Sequence, residues 1–301
     1  MSERTAEIGG LPVSYLDHRG TGRPVLLVHG LGGGALNWMD CAPLLARHAR
    51  VWAIDLFGHG HTASAGRSAS ISDNAELIAD FVREAVDERA TLVGNSMGGF
   101  LSMRVAADHP ELVEALVLVD PALPQWPDVI DPVVMQLFAI YATPGVGEQF
   151  LEQWAETIGP EGVVDQMLAL CTRDPSRISR EFRDAHVAAL KEREGTPRAM
   201  DDFLVAARSL IQGLWETDPW REMVRRIEAP TLLVHGEHDR LVSVVAAREV
   251  AKIRPDWTLR VMEDCGHIPM AEDPEEFTRI VAEWLGALPR AGTRAARAPA
   301  P

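Results

Sequence analysis

The stretch ATLVGNSMGGFLSMRVAAD, residues 90–108, joins an apolar run to a helical run through a glycine-rich turn. Residues 90–95 are continuously apolar up to the turn, as expected of a strand covered on both faces. Between this strand and the helix, GNSMG at 94–98 fits the pattern G-x-S-x-G. Small flanking residues let strand and helix approach closely, so the serine can occupy a sharp, strained turn. The stretch predicts a strand–turn–helix unit that presents Ser96 at the N-terminus of the helix.

Similar apolar runs recur along the chain and alternate with helical patterns. Amphipathic helical spacing is clear in 72–86 and in 274–287, and Asp273 is placed to cap the second helix ahead of Pro274. Continuously apolar strands alternating with helices predict an α/β fold with a mostly parallel, doubly wound sheet. The other strand-like runs are PVLLVHG (24–30), RVWAIDL (50–56), EALVLVD (114–120), PTLLVHG (230–236) and WTLRVME (257–263).

The strand pattern stops after Asp120. From about 122 to 228 helix formers, tryptophan and methionine predominate, and no run is typical of a strand. We therefore predict a helical cap at 122–228, inserted into an α/β core made of residues 1–121 and 229–288. Residues 289–301, PRAGTRAARAPAP, are rich in Pro, Ala and Arg and are predicted to be a disordered tail.

Composition narrows the classes of function. The chain has 301 residues, 47% of them hydrophobic, which is enough to bury one large core. A formal net charge of -15 disfavours nucleic acid and anionic lipid headgroups as partners. The three cysteines lack the spacing of a disulfide framework or a zinc site, so we expect no metal. The N-terminus has no apolar run like that of a signal peptide, and no apolar stretch is long enough to span a membrane. A cytoplasmic protein is the simplest expectation.

A serine hydroxyl is a weak nucleophile and needs a base. Among ten histidines, His267 in DCGHIPM follows the last predicted strand and precedes a helix, so its loop should open at the same sheet edge as Ser96. The orienting acid should be Asp239 in HGEHDRLV, which follows the strand before it. Asp120 and Glu237 stay open as alternatives for the acid. The chain order serine, aspartate, histidine is the order expected of this fold.

Other candidate bases and nucleophiles have simpler explanations. Cys265 lies two residues before His267, and we expect it to be a small packing residue. Five further histidines lie near predicted strand ends, where turn formation explains them better: His29, His59, His61, His235 and His238.

An oxyanion intermediate needs two N–H donors. One should be the backbone amide of Met97, the residue after the nucleophile. The other should come from the glycine-rich loop GLGGG after the first apolar run, with Leu31 as first choice and Gly32 as second. This loop is not a phosphate-binding loop, because it lacks the G-x-x-x-x-G-K-[ST] pattern. It is not a dinucleotide fingerprint either, because no helix starts directly from it. We expect no cofactor.

Together these motifs resemble the α/β-hydrolase superfamily, in particular its capped lipase- and esterase-like members. The resemblance covers roughly residues 20 to 287 apart from the predicted cap, and the motifs stand in the family's order. It implies the α/β-hydrolase fold and a triad of Ser96, Asp239 and His267. The motifs are specific for fold and triad and say little about substrate. They are VLLVHGLGGG, AIDLFGHGHT, VGNSMGG, LLVHGEHDRLV and DCGHIPMAEDPEEF.

Differences from the motifs of related families argue against some activities of this fold. Haloalkane dehalogenases and epoxide hydrolases of this fold have an aspartate nucleophile, and Ser96 argues against both. The elbow GNSMGG is similar to that of the meta-cleavage product hydrolases, which cleave carbon–carbon bonds. Those enzymes usually carry Trp directly after the histidine, whereas this chain has Ile268.

The sequence therefore predicts hydrolysis of a carboxylic ester through an acyl-enzyme, with a small apolar acyl or aryl ester as substrate. Carbon–carbon hydrolysis of a meta-cleavage-type diketone and a hydrolase-like ligand-binding protein without catalysis stay open as alternatives. Acyl transfer, lactone hydrolysis and cofactor-free haloperoxidase activity are further options. The motifs do not determine the oligomeric state.

Overall fold

The computed structural model describes residues 2–125, 129–193 and 198–289. Eight strands form a single sheet in the order β1-β2-β4-β3-β5-β6-β7-β8. Their bounds are β1 Ser2–Ile8, β2 Leu11–Arg19, β3 Pro24–Val28, β4 Arg50–Ile54, β5 Ala90–Asn95, β6 Val113–Val119, β7 Thr231–Gly236 and β8 Thr258–Met262.

Helices connect and cover these strands. The helix at Ile71–Phe81 is directly continued by a π-helical turn at Val82–Val86, so the helix predicted over 72–86 is present with a wider last turn. The α-helices are α1 Ala42–Leu45, α2 Ile71–Phe81, α3 Met97–Asp108, α4 Pro132–Ala142, α5 Val146–Cys171, α6 Arg180–Arg193, α7 Ala199–Trp215, α8 Thr217–Arg226, α9 Val244–Ile253, α10 Pro269–Glu272 and α11 Pro274–Ala287.

The predicted α/β fold with a mostly parallel sheet is confirmed. All six predicted strands occur, as β3 to β8, and adjacent members of this set pair in parallel. Alternate side chains of β3 enter two different apolar clusters, Leu26 and Val28 one and Val25 and Leu27 the other. The helices lie on both faces of the sheet, which explains why β3 is apolar at every position.

The antiparallel hairpin of β1 and β2 was not recognised in the sequence. β1 is polar and largely exposed, because it lies at the edge of the sheet, so it has no apolar run. The available signal was Gly9-Gly10 between the two strands, where φ is 56° and 78°. A Gly-Gly pair of this kind is typical of a tight hairpin turn.

The predicted N-terminal capping of helix α11 by Asp273 is present. The Asp273 side chain accepts a hydrogen bond of 3.1 Å from the backbone N–H of Glu276, and Pro274 is the first helical residue. The start of α11 was readable from local sequence. The loop that carries His267 ends earlier than predicted, however, because the short helix α10 already begins at Pro269.

Helices α4 to α8 follow β6 and precede β7. Tyr141, Leu151, Leu204 and Ile211 of α4, α5 and α7 form a small apolar cluster of their own. In contrast, Val224 of α8 is buried in the main core on the α3 face. We propose that α4 to α7 form a cap, and the predicted division at residues 122 and 228 stays a prediction. Trp126, within the predicted cap, and most of the predicted disordered tail (290–301) lie outside the described residues.

No helix in the described part of the chain combines the length and the apolarity needed to cross a bilayer.

The parallel strands bring four loops to one edge of the sheet. Asn95 at the end of β5 pairs with Val119 at the end of β6, and Val119 pairs with Val234 of β7. Gly236 at the end of β7 pairs with Met262 at the end of β8. Because the carboxyl ends of parallel strands meet at one edge, the residues that follow these four strands are neighbours.

The β5–α3 turn depends on two glycines. A Cβ atom on Gly94 would lie 2.3 Å from the carbonyl oxygen of Gly98. A Cβ atom on Gly98 would lie 2.2 Å from the carbonyl oxygen of Val28 in the neighbouring strand. Both distances are well inside van der Waals contact and both involve backbone atoms, so any side chain here would push α3 away from the sheet.

We expect Gly98→Ala to lower the free energy of unfolding by about 1–3 kcal/mol, because it overpacks the contact between α3 and β3. Thermal unfolding followed by circular dichroism measures the change. Gly286→Ala is the matched control, since nothing lies within 4 Å of its Cβ position and it should stay within about 1 kcal/mol of the wild type. Equal stability of Gly98→Ala and the wild type would contradict the close approach described here.

Candidate active site

Ser96 occupies the strained turn between β5 and α3. Its φ of 53° and ψ of −118° lie outside the regions that L-residues favour. Surrounding hydrogen bonds impose this conformation: Ser96 N–H donates to the carbonyl of Val119 at 3.1 Å, and its own carbonyl accepts from Gly99, Phe100 and Ala122. Such strain persists only where the surroundings over-determine it, and it directs the Ser96 side chain away from the strand.

Asp239 and His267 form a buried acid–base pair. The Nδ1 atom of His267 lies 2.7 Å from Oδ2 of Asp239, and both residues are less than 8% exposed. The other oxygen, Oδ1, accepts from the backbone N–H groups of Leu241 at 2.8 Å and Val242 at 3.0 Å. With Asp239 as acceptor, Nδ1 carries the ring proton, so Nε2 of the neutral imidazole holds a lone pair and can act as a base.

The electrostatics of Asp239 agree with an ionised carboxylate. Burial raises the pKa of Asp239, but His267, His235 and the hydrogen bond from the Val242 N–H together lower it by more than burial raises it. The net pKa of Asp239 therefore lies below its usual value. The carboxylate is charged at neutral pH and can stabilise an imidazolium on His267.

Two polar residues that the sequence analysis did not single out hold the loop of His267. The Asn95 side chain donates to the carbonyls of Val119 at 3.1 Å and His267 at 3.0 Å, which ties the loop to the residue beside Ser96. Glu272 accepts from the backbone N–H of Gly266 at 2.6 Å. The only signal for Asn95 was a polar residue at the end of an apolar strand, and Glu272 had none, because it acts through backbone groups.

The cap contacts this loop directly. The N–H of His267 donates to the carbonyl of Cys171, at the C-terminus of α5, at 2.7 Å. The second oxygen of Glu272 accepts from the backbone N–H of Arg173 at 2.9 Å, just after α5. A Cβ atom on Gly266 would lie 2.7 Å from the Cys171 carbonyl, so the chains approach as closely as glycine allows. Movement of α5 would therefore move the imidazole.

Ser96 and His267 lie on adjoining loops, linked through Asn95. Among the hydrogen bonds of the described residues, none involves the Ser96 hydroxyl. In ligand-free hydrolases the contact between serine and histidine is commonly loose and tightens when substrate binds.

The glycine-rich loop after β3 contacts the elbow. A Cβ atom on Gly30 would lie 3.0 Å from Cβ of Ser96. The carbonyl of Gly30 is held by Nδ1 of His29 at 2.8 Å and by the N–H of Gly33 at 3.1 Å. Because the carbonyl points towards these donors, the N–H of Leu31 in the same peptide unit points the opposite way.

The two predicted oxyanion donors are free to bind a ligand. Within the described residues, the backbone N–H groups of Leu31 and Met97 donate to no protein acceptor. Met97 is the first residue of α3, where the helix dipole adds positive potential. Gly32, the second choice, has φ of 72° and lies against Phe203 of the cap. The role of Leu31 and Met97 as oxyanion donors stays a prediction.

The alternative candidates lie in other environments. Glu237 is partly exposed and lies 3.8 Å from Arg248, away from the imidazole. Burial raises the pKa of Cys265 to about 12, so its thiol is protonated. His61 lies 2.7 Å from Glu3 at the surface. Asp120, in contrast, lies beside Asp239 in the same buried cluster.

Asp120, His235 and Asp239 can each present one atom within 4.8 Å of the others, a spacing that a metal ion could bridge. In this group Asp239 is already bound to His267 and to two backbone N–H groups. Because Asp239 is committed to the acid–base pair, the three residues do not offer three free ligand atoms for a metal ion.

A cavity of about 300 Å³ lies between the two helices α4 and α5 and the loop after Asp239. Arg240, which follows Asp239, lies at its edge, where Nε donates to Asp131 at 2.9 Å. Leu170, another lining residue, directly precedes Cys171. The remaining walls are largely apolar and aromatic, among them Leu137, Tyr141, Phe150, Trp154 and Met167.

Comparison with known proteins places this site in a family. A sequence profile of the alpha/beta hydrolase fold matches residues 23–274. A 2-hydroxy-6-oxo-6-(2'-aminophenyl)hexa-2,4-dienoic acid hydrolase from Metapseudomonas resinovorans is 32% identical over 291 residues, covering 94% of this chain and 90% of that protein.

Two solved structures share the whole architecture. A serine hydrolase involved in carbazole degradation superposes with a TM-score of 0.70 at 28% identity, covering 95% of this chain and 98% of that one. A membrane phospholipase A, described as a bacterial virulence factor, also gives a TM-score of 0.70 at 28% identity, covering 96% of this chain and 87% of that one.

Two buried histidines near the glycine-rich loop make stability depend on pH. Burial lowers the pKa of His29 from 6.5 to about 4 and that of His59 to about 3. Between these values and 6.5 the unfolded chain binds more protons than the folded protein, so stability falls as pH decreases through this window. The His29 shift alone corresponds to a loss on the order of 2–3 kcal/mol between pH 7 and pH 4.

We expect the fall in unfolding free energy between pH 7 and pH 4 to be smaller in His29→Gln than in the wild type, because one buried titrating group is gone. Urea unfolding at a series of pH values measures it. His48→Gln, which changes an exposed histidine, should keep the wild-type pH dependence. An identical slope in His29→Gln and the wild type would show that His29 does not titrate as described.

Proposed function

Because this chain belongs to the α/β-hydrolase fold family, we propose that it is a hydrolase in which Ser96 attacks a carbonyl carbon with His267 as base and Asp239 as orienting acid. The observation that carries the proposal is the buried 2.7 Å hydrogen bond between Asp239 and His267 on the loops beside the strained Ser96 turn. A base oriented by a carboxylate next to a serine at a helix N-terminus is the arrangement that activates a hydroxyl.

The proposed reaction proceeds in two halves. His267 Nε2 removes the hydroxyl proton as Ser96 Oγ bonds to the carbonyl carbon, and the N–H groups of Leu31 and Met97 hold the oxyanion. The leaving group departs with the proton from the imidazolium, which leaves an acyl group on Ser96. Water then attacks the acyl carbon, gives a proton to His267 and releases a carboxylic acid and the free serine. Apart from the substrate and one water molecule, every step uses groups of the chain.

For the bond that breaks, we propose a carbon–carbon bond next to a ketone in a conjugated dienoate. The relative at 32% identity is named as a hydrolase of such a compound, and the serine hydrolase of carbazole degradation shares the architecture at 28% identity. Cleaving this bond makes a carbon leaving group. The 2-hydroxy group of the dienoate must therefore first ketonise, with its proton transferred to the carbon next to the ketone, so that the electron pair of the broken bond is delocalised into the resulting unsaturated 2-oxo acid as a dienolate.

Ester hydrolysis, the activity expected from the sequence, is the second candidate. The same serine, oxyanion donors and base would serve, since only the leaving group differs. The structural likeness to a phospholipase A at 28% identity favours it, as does Ile268 at the position after the base. A ligand-binding protein without catalysis is disfavoured because every group of the relay is present.

Ser96→Ala tests the nucleophile. We expect turnover of any accepted substrate to fall by roughly four orders of magnitude, because serine, histidine and aspartate act as a unit. The variant should also lose labelling by a fluorophosphonate probe, measured by in-gel fluorescence. Ser70→Ala, which alters only the N-cap of α2, is the control and should be labelled like the wild type. Near-wild-type turnover by Ser96→Ala would overturn the proposal.

Two substrates whose cleavage is followed by absorbance distinguish carbon–carbon hydrolysis from ester hydrolysis. With a 2-hydroxy-6-oxo-6-aryl-hexadienoate and a p-nitrophenyl ester of the matching aryl acid, we expect kcat/KM to be at least tenfold higher for the dienoate. The loss of dienoate absorbance and the release of p-nitrophenol give the two rates. A preference for the ester would return the function to carboxylic ester hydrolysis while leaving the Ser96 mechanism intact.

A further inference from the structure

Asp120 is a buried carboxyl group that the proposed reaction does not use. It follows β6, is fully buried, and has a φ of 42°, which is unusual for a residue other than glycine. Its N–H donates to the carbonyl of Val234 at 2.9 Å, and its Oδ1 accepts from the N–H of Gly236 at 2.8 Å. Its Oδ2 is buried, and among the described residues no N–H or hydroxyl group donates a hydrogen bond to it. An ionised carboxylate in this position would leave one charged oxygen without a donor.

His235 lies between the two buried aspartates. Its Nε2 is 3.6 Å from Oδ1 of Asp120 and 3.6 Å from Oδ2 of Asp239. The hydrogen bond it makes is to neither carboxyl group, because Nε2 donates to the carbonyl of Val242 at 2.8 Å. Burial lowers the pKa of His235, so the ring is neutral and supplies no positive charge to the pair.

The other charged or titratable groups around Asp120 do not compensate a second negative charge. Glu272 from α10 is itself an acid, and Cys265 approaches as a thiol. His267 is committed to Asp239. Arg248, whose charge acts on His235, is half-exposed and lies beside Glu237. Two adjacent ionised carboxylates here would be buried with no cation between them, which is strongly unfavourable.

The hydrogen bonds decide which aspartate is ionised. Asp239 accepts from three donors, namely Leu241 N–H, Val242 N–H and His267 Nδ1. Asp120 accepts from one. Burial, followed by the charge of Asp239 and a side-chain hydrogen bond to it, raises the pKa of Asp120 well above its usual value. The proton of the pair therefore lies on Asp120.

We propose that Asp120 is a positioning residue that stays a neutral carboxylic acid and donates its O–H as a hydrogen bond to the Asp239 carboxylate. Its role in catalysis rests on the proposed function of Asp239 and His267, whereas its protonation state does not. The donated bond gives the unpartnered Oδ2 of Asp120 an acceptor and adds a further donor to the Asp239 carboxylate beyond His267 and its two backbone donors. Asp239 is thereby fixed against the imidazole that it orients.

Two substitutions of Asp120 distinguish hydrogen-bond donation by this residue from a negative charge on it. Asp120→Asn is neutral and its amide can donate to Asp239 while its oxygen accepts from Gly236. We expect the acidic limb of the kcat/KM pH profile of Asp120→Asn to stay within about 0.3 pH unit of the wild type. Asp120→Leu cannot donate, and its kcat/KM should be at least tenfold below that of Asp120→Asn. If Asp120 were ionised, Asp120→Asn would remove a negative charge and move the acidic limb to lower pH by half a unit or more.

Infrared spectroscopy of the whole protein at pH 7 reads the protonation state without turnover. We expect a carboxylic acid C=O band that shifts in D2O and disappears in Asp120→Asn. Glu272→Gln is the matched control, because it removes a different buried carboxyl group, and it should retain the Asp120 band. If Asp120→Asn kept every carboxylic acid band of the wild type, the proposal would be overturned, even if Asp120→Leu failed to fold.

Ser96→Ala keeps these outcomes distinct from those of the proposed function. That variant should retain the Asp120 band. If Ser96→Ala remained active, the mechanism would be wrong and the neutral Asp120 would stand. If Ser96→Ala were inactive and the Asp120 band were absent, only the proposal for Asp120 would fall.

Discussion

Parallel pairing of β5, β6, β7 and β8 is the constraint on which the rest of the molecule depends. Because the register joins the ends of β5 and β6, and the ends of β7 and β8, the loops that follow open at one edge. Ser96, Asp239 and His267, distant in sequence, reach this edge on separate loops. A shift in strand register would separate them. At the elbow itself, Gly94 and Gly98 allow the close contact between α3 and the sheet.

Burying charge at this edge has a cost that the local hydrogen bonds offset. Asp239 remains ionised because His267 and two backbone N–H groups stabilise its charge, while the poorly solvated Asp120 is better suited to remain neutral. The cap takes part in the same network, since the Cys171 carbonyl and Glu272 hold the loop of the imidazole. Cap position and base position are therefore mechanically coupled, although the motifs for them lie far apart in the chain.

The central strands and the helix caps could be predicted because their signals are local. An apolar run, a G-x-S-x-G turn and an Asp-Pro helix start each depend on residues within a few positions. The β1–β2 hairpin was missed because an edge strand is exposed and has no apolar run. The sequence predicted that the region between β6 and β7 is helical, but it did not predict how these helices pack. Helix α8 packs on the main core rather than with Tyr141 and Leu204. Such packing depends on contacts between residues many positions apart.

The sequence by itself determined the α/β class, the six parallel strands and the candidate nucleophile and base, and it placed Asp239 first among three candidate acids, because each of these residues follows a strand end in a recognisable local pattern. Only the tertiary structure decided that His267 is hydrogen-bonded to Asp239 and that Asp120 is a second carboxyl group beside it. It also decided that Asn95 and Glu272 hold the loop of the base. These are distances between loops, and their physical effects, desolvation and hydrogen bonding, exist only once the chain is folded.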